Sequence, residues 1–232
     1  ALGMKRTLIM RRIVLPQVAG VFIDGRYRTQ VKAQVDLTAF TPVPWPEVKP
    51  GDWIRNALAA GVVGFDPWLH TAKEIDEIAL GLAGSDVRLE PLANLVGAVW
   101  TGQPAPPAGR VVIQPLVLAG EAAGDKRGRL AGALAGAGHS AVVLTLPDSI
   151  SWLLNIRGSD VARNPVVHGF AVLHRDGGVD LFSDPTKYDD AVRSQLGDAV
   201  RLAPPERFAA VAGGPGGPGQ GGRARAPPAG AP

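Results

Sequence analysis

No cysteine occurs in the 232 residues, so neither disulfides nor thiolate-held metals are available to this chain. Aromatic residues are also scarce, at 6%. With so few rings, a nucleic-acid face of basic residues interleaved with stacking aromatics is not expected, although the net charge of +3 and a pI near 9.5 invite one. The lysines and arginines are scattered, and no basic stripe forms. No apolar run approaches the roughly 18 residues that a membrane span needs. Metal-ligand and nucleophile patterns are missing too. The four histidines, His70, His139, His168 and His174, include no helical i, i+4 pair and no flanking carboxylates in a ligand pattern. His168 and His174 stand six apart in one predicted strand, which separates them by roughly 20 Å, too far to share an ion. Ser149 and Ser151 lack a G-x-S-x-G elbow. The glycines from Gly213 to Gly222 have no following Lys-Ser/Thr, as a phosphate loop requires.

What is present reads as a globular α/β chain, with 46% hydrophobic residues and a mean hydropathy of +0.09. Met4 to Ile23 loosely resembles a charged leader with an apolar body, but Pro16 and Gln17 interrupt it, and a start running into a strand is the expectation. Val21–Ile23 reads as a strand, followed by a turn at Asp24–Tyr27 into a helix reaching about Val35. Thr41 to Pro50, rich in proline, reads as a loop. After the short strand Val62–Phe65, Thr71 and Glu74 have capping-box spacing. Ile75, Ile78, Ala79 and Leu82 then recur on one helical face. Pro104–Pro107 is a stiff linker.

Beyond it, Asp125–Ala137 alternates Lys126, Arg127 and Arg129 with Leu130 and Leu134, an amphipathic helix stopped by Gly138. Ala141–Leu144 is a strand. Pro147 and Asp148 start a short helix, Ser149–Leu154, whose buried side is expected from Trp152, Leu153 and Ile156. Asn155 and Gly158 end it. Val166–Leu173 is almost continuously apolar, the pattern of a strand covered on both faces. Arg175–Gly178 turns the chain into Val179–Phe182. Asp184 caps and Pro185 opens a last helix, with Tyr188, Val192 and Leu196 inward and Asp189–Asp190 on the solvated face. From about Ala209 the chain becomes alanine, glycine and proline with Arg223 and Arg225, which predicts disorder.

The stretch Pro147–Asp160, PDSISWLLNIRGSD, followed by NPVV, FAVLH, DGGVDLF and DPTKY, resembles the second N-terminal domain of aminopeptidase P. These are the three-domain Xaa-Pro aminopeptidases of the creatinase and prolidase superfamily. The likeness continues upstream through DGRY at Asp24, GFDPWLHT at Gly64, NLVGAVW at Asn94 and LAGEAAGDKR at Leu118, and spans about residues 22 to 205. It implies an α/β fold of creatinase N-terminal-like domains, mixed sheets flanked by helices. The expected organisation is a truncated first domain over 1–103, a linker at 104–109, a second domain over 110–205 and a disordered tail over 206–232.

Members of this hydrolase family cleave after an N-terminal residue that precedes proline. They use two divalent metals, usually manganese, held by two Asp, one His and two Glu of a C-terminal domain. None of these ligands matches a position here, so no catalytic or metal residue is transferred. The expectation is an N-terminal fragment of a cytoplasmic metallopeptidase, inactive alone. Its partners would be a second copy or a full-length relative, with a peptide substrate only in the whole enzyme, and no nucleic acid or membrane. The alternatives are a stand-alone regulatory or oligomerisation module and the product of a frameshifted gene. Arg157 and Trp152 are the candidates to face the substrate channel, Arg157 by pairing with a peptide carboxylate. Otherwise Arg157 caps carbonyls or pairs with Asp160, and Trp152 is core.

Overall fold

The computed structural model describes residues 19–213. The leader-like stretch before residue 19 and the Gly/Pro-rich stretch after residue 213 lie outside the described residues. The chain divides into two compact units between Gln103 and Pro104.

The first unit runs β1 (Ala19–Ile23), α1 (Gln30–Gln34), β2 (Phe40–Pro44), α2 (Pro50–Ala57), β3 (Ala60–Phe65), α3 (Ala72–Gly81), β4 (Asp86–Pro91) and α4 (Leu95–Val99). β1 pairs with β2, and β3 with β4, each as a separate parallel pair. Proline-rich β2 departs from the loop expected there. Pro42 and Pro44 alternate with Thr41 and Val43, so the missing donors share one side of the strand, while Trp45 N still donates to Ile23 O at 2.8 Å. The capping box of α3 forms as expected: Glu74 N donates to Thr71 Oγ1 and Thr71 N to Glu74 Oε2. Helices α2 and α3 meet at Gly51 and Gly81, where a Cβ on Gly51 would lie 2.7 Å from Ile78 O.

The second unit runs β5 (Val112–Ile113), α5 (Leu116–Ala119), α6 (Ala123–Gly136), β6 (Ala141–Leu144), α7 (Pro147–Leu154) and β7 (Ile156–Arg157). It continues through β8 (Phe170–His174), β9 (Val179–Phe182), a 3-10 turn (Pro185–Lys187), α8 (Asp190–Leu196), β10 (Val200–Ala203), a second 3-10 turn (Pro205–Arg207) and α9 (Phe208–Gly213). The main sheet is mixed, in the order β10-β9-β8-β6, with only β9 and β10 parallel. Ala171, Leu173, Val179 and Leu181 join Ile150, Leu153, Leu154, Val192 and Leu196 in the principal core. Val172 and Phe182 point to the opposite face and meet Phe208 of α9. Both faces of β8 are thus covered, as its continuous apolar run requires.

Several expectations are corrected here. The strand expected over Val166–Leu173 begins only at Phe170, because other acceptors take the preceding amides: Val167 N donates to Ser151 Oγ and His168 N to Asp160 Oδ2. Helix α7 starts two residues earlier than expected, at Pro147, with Leu146 as its cap. Asp148 accepts only from the adjacent Ser149 N, at 2.9 Å. The last helix of the expected pattern is two elements. Asp184 caps the 3-10 turn, and Asp189, expected as plain solvated charge, caps α8 by accepting from Val192 N while pairing with Arg110. Residues 206–213 of the expected tail are ordered, since Phe208 stacks on Phe170 with centroids 4.4 Å apart and meets Phe182 edge-on.

Candidate functional site

Trp152 and Arg157 lie on the segment that ends α7. Trp152 is 43% exposed, so it does not belong to the core; of the residues expected on the buried side, Leu153 is buried with Ile150 and Leu154 on the helix, and Ile156 is buried just beyond it. Asn155 terminates α7 in the left-handed conformation, φ 51°, where its short polar side chain tolerates the strain. The chain then enters β7, which places half-buried Arg157 opposite Val112 of β5. The guanidinium donates through Nη1 to Ile156 O at 2.9 Å. Asp160 is not its partner, because Lys187 holds that carboxylate. Gly158 has no side chain for a different reason from turn geometry: a Cβ there would lie 2.7 Å from Val166 O.

Two buried lysines organise this end of the unit, and neither was singled out from sequence. Lys126 of α6 is 1% exposed. Its Nζ donates to Asn155 Oδ1 at 2.7 Å and to Trp152 O at 2.9 Å, and sits 4.4 Å from the Trp152 ring centroid. Burial pushes the ammonium down from its ordinary pKa; Glu121 opposes the fall, and the Arg157 and Arg129 charges add to it. The signal existed in the pattern: Lys126, Leu130 and Leu134 stand at i, i+4 and i+8, on one helical stripe. Asn155 extends the same network, donating from Nδ2 to Glu121 O at 2.9 Å and accepting at its own carbonyl from Gln114 N.

Lys187 and Asp160 form the second cluster, with side chains 2% and 0% exposed. Asp160 also accepts from Gly109 N at 2.9 Å and His168 N at 2.7 Å, which stitches the end of the proline linker to the domain. Burial alone would raise the Asp160 pKa, but Lys187 and the two amides outweigh it and hold the carboxyl below its usual range. Across the sheet, Asp180 accepts from His174 Nε2 at 2.8 Å and Arg201 Nε at 2.6 Å, a cross-strand network. His168 lies before the strand, so the two histidines expected on one strand face do not share it.

A cleft of about 280 Å³ in the second unit is lined by Gln114, Gly124, Arg127, Asn155 and Gln195 among others, and a larger one of about 960 Å³ in the first by Phe22, Trp45, Phe65, His70 and Glu74 among others. Among the described residues, no group of three or more His, Asp or Glu could hold a metal ion. No helix among them is long and apolar enough to cross a membrane.

Comparison with known families matches residues 102–214 to the Creatinase/Prolidase N-terminal domain. Over those residues the chain resembles a creatinase/prolidase N-terminal domain in sequence and fold. The chain as a whole is similar to Xaa-Pro aminopeptidases. It is 33% identical over 205 residues to a probable Xaa-Pro aminopeptidase P of Coccidioides posadasii, covering 84% of this chain and 30% of that protein. Against aminopeptidase P2 of Arabidopsis thaliana the identity is 32%, covering 83% and 28%. A solved X-prolyl aminopeptidase of Caenorhabditis elegans, described as a cytosolic enzyme with a di-nuclear active site, superposes with a TM-score of 0.78 at 29% identity, covering 85% of this chain and 33% of that one. The chain therefore spans about a third or less of the length of the proteins it matches.

Proposed function

We propose that this chain acts as the non-catalytic front of an Xaa-Pro aminopeptidase, a dimetal peptidase that releases an N-terminal residue preceding proline. The observation that carries this reading is the extent of the likeness: 84% of the chain aligns with 30% of an aminopeptidase P. In this reading the two divalent metals, manganese in the usual case, belong to polypeptide outside this sequence; the residues described here do not fit them, and no step of the reaction runs through this chain's side chains. Trp152 and Arg157 face the substrate entrance, where the Arg157 guanidinium pairs with a peptide carboxylate. The whole enzyme works in the cytoplasm, and the front units support its dimerisation. The 232-residue chain alone is inactive. Incubating it with manganese and an Xaa-Pro-Pro peptide tests this: no release of the first residue is expected, and proline-dependent turnover overturns the proposal.

A second reading, a stand-alone regulatory or oligomerisation module that pairs with a full-length aminopeptidase, is favoured by the apolar surface of α5, where Val117 is 88% and Leu118 71% exposed. Co-sedimentation with a full-length relative separates the two, because only the module reading requires a stoichiometric complex.

A further inference from the structure

We infer that Lys126 is the positioning residue of the Trp152–Arg157 surface, holding the exposed indole in place by a cation against its inner face. This rests on the reading above that Trp152 and Arg157 face substrate. A buried ammonium needs compensation for lost hydration, and here its hydrogen-bond acceptors include no carboxylate: Glu121, whose charge favours the ammonium, is paired with Arg129 at 2.9 Å. Its acceptors are a carbonyl in the last turn of α7 and the Asn155 carboxamide, together with the indole π face. Each of these belongs to the segment 152–155.

The arrangement is directional in a way a general packing role would not demand. The last carbonyls of a helix carry partial negative charge and lack intrahelical donors, so a cation there completes the C-terminus. A cation over tryptophan favours the ring face, which fixes the indole plane rather than only its depth. Fastening Asn155 at the same time fixes the left-handed residue from which the chain leaves toward Arg157. One buried charge thus sets the orientation of the ring and the path of the two residues that follow. Methionine at this position would fill the same volume and supply neither interaction.

The test uses the full chain and reads Trp152 directly. In wild type, the Lys126 side-chain methylene protons should show an upfield ring-current shift in NMR spectra, and Trp152→Leu should abolish it. Absence of any such shift in the folded wild type overturns the inference, and this measurement does not depend on a lysine variant folding. Lys126→Met should leave the β8 and β9 amide signals in place while shifting the Trp152 indole N–H signal and raising its quenching by acrylamide. An unchanged Trp152 signal in folded Lys126→Met also overturns it. Failure of the substrate reading looks different: in a whole aminopeptidase carrying this front, Trp152→Phe and Arg157→Gln would leave KM unchanged while the ring-current shift persists.

Discussion

Replacing Asp160 with asparagine should be among the most destabilising single-atom-scale changes in the second unit. The carboxylate is fully buried and accepts from Gly109 N, His168 N and Lys187 Nζ. Asparagine keeps one acceptor oxygen, and its amide nitrogen must face at least one of these donors. It also leaves the Lys187 ammonium, 2% exposed, without its counter-charge. Breaking a buried pair by removing one partner costs about 3–5 kcal/mol, a large share of the roughly 5–15 kcal/mol that holds a domain folded. The expected result is that the slowest-exchanging amides of β8 and β9, followed by hydrogen exchange with mass spectrometry, report a loss of this size. Adding Lys187→Met to Asp160→Asn should recover part of that loss, because the ammonium is then no longer stranded while the asparagine oxygen still accepts from a linker-end amide. A loss below about 1 kcal/mol for Asp160→Asn, or a double variant worse than the single one, would refute the argument that this pair anchors the linker end.

Acid should unfold the second unit over a defined window. Asp160 and Asp180 are held below their usual pKa, burial being outweighed by Lys187 and two amides in one case and by Arg201 and His174 in the other. A carboxylate depressed in the folded state contributes stability above its unfolded value, near 3.9, and loses it as pH falls through the folded values; circular dichroism should show a plateau from about pH 5 upward and a steep fall below about pH 4, shallower in Asp160→Asn. At the other end, Phe208→Ala should cost up to about 3–5 kcal/mol, since the ring stacks on Phe170 and abuts Phe182. It should also raise binding of a hydrophobic dye to the uncovered sheet face, and an unchanged melting temperature and dye signal would contradict the packing of α9.

What the residues determined by themselves was local and periodic. The capping box at Thr71 and Glu74, the αL exit at Asn155, the turn at Arg175–Gly178 and the apolar run of β8 follow from backbone preferences within a few positions, so they are legible without a fold. The long motif around Pro147–Asp160 carried the family resemblance for the same reason: its spacing is contiguous. Only the tertiary structure decided where charges ended. Lys126 and Lys187 are buried against partners 29 and 27 residues away in sequence, and Trp152 is exposed with the Lys126 ammonium 4.4 Å from its ring centroid. Likewise α9 is ordered by Phe170 and Phe182, not by its own alanine-rich composition, and Pro42 and Pro44 enter a strand because the partner lies on the side where they need not donate. Local preference acts over one or two turns, whereas the desolvation of a charge depends on everything the finished fold brings beside it.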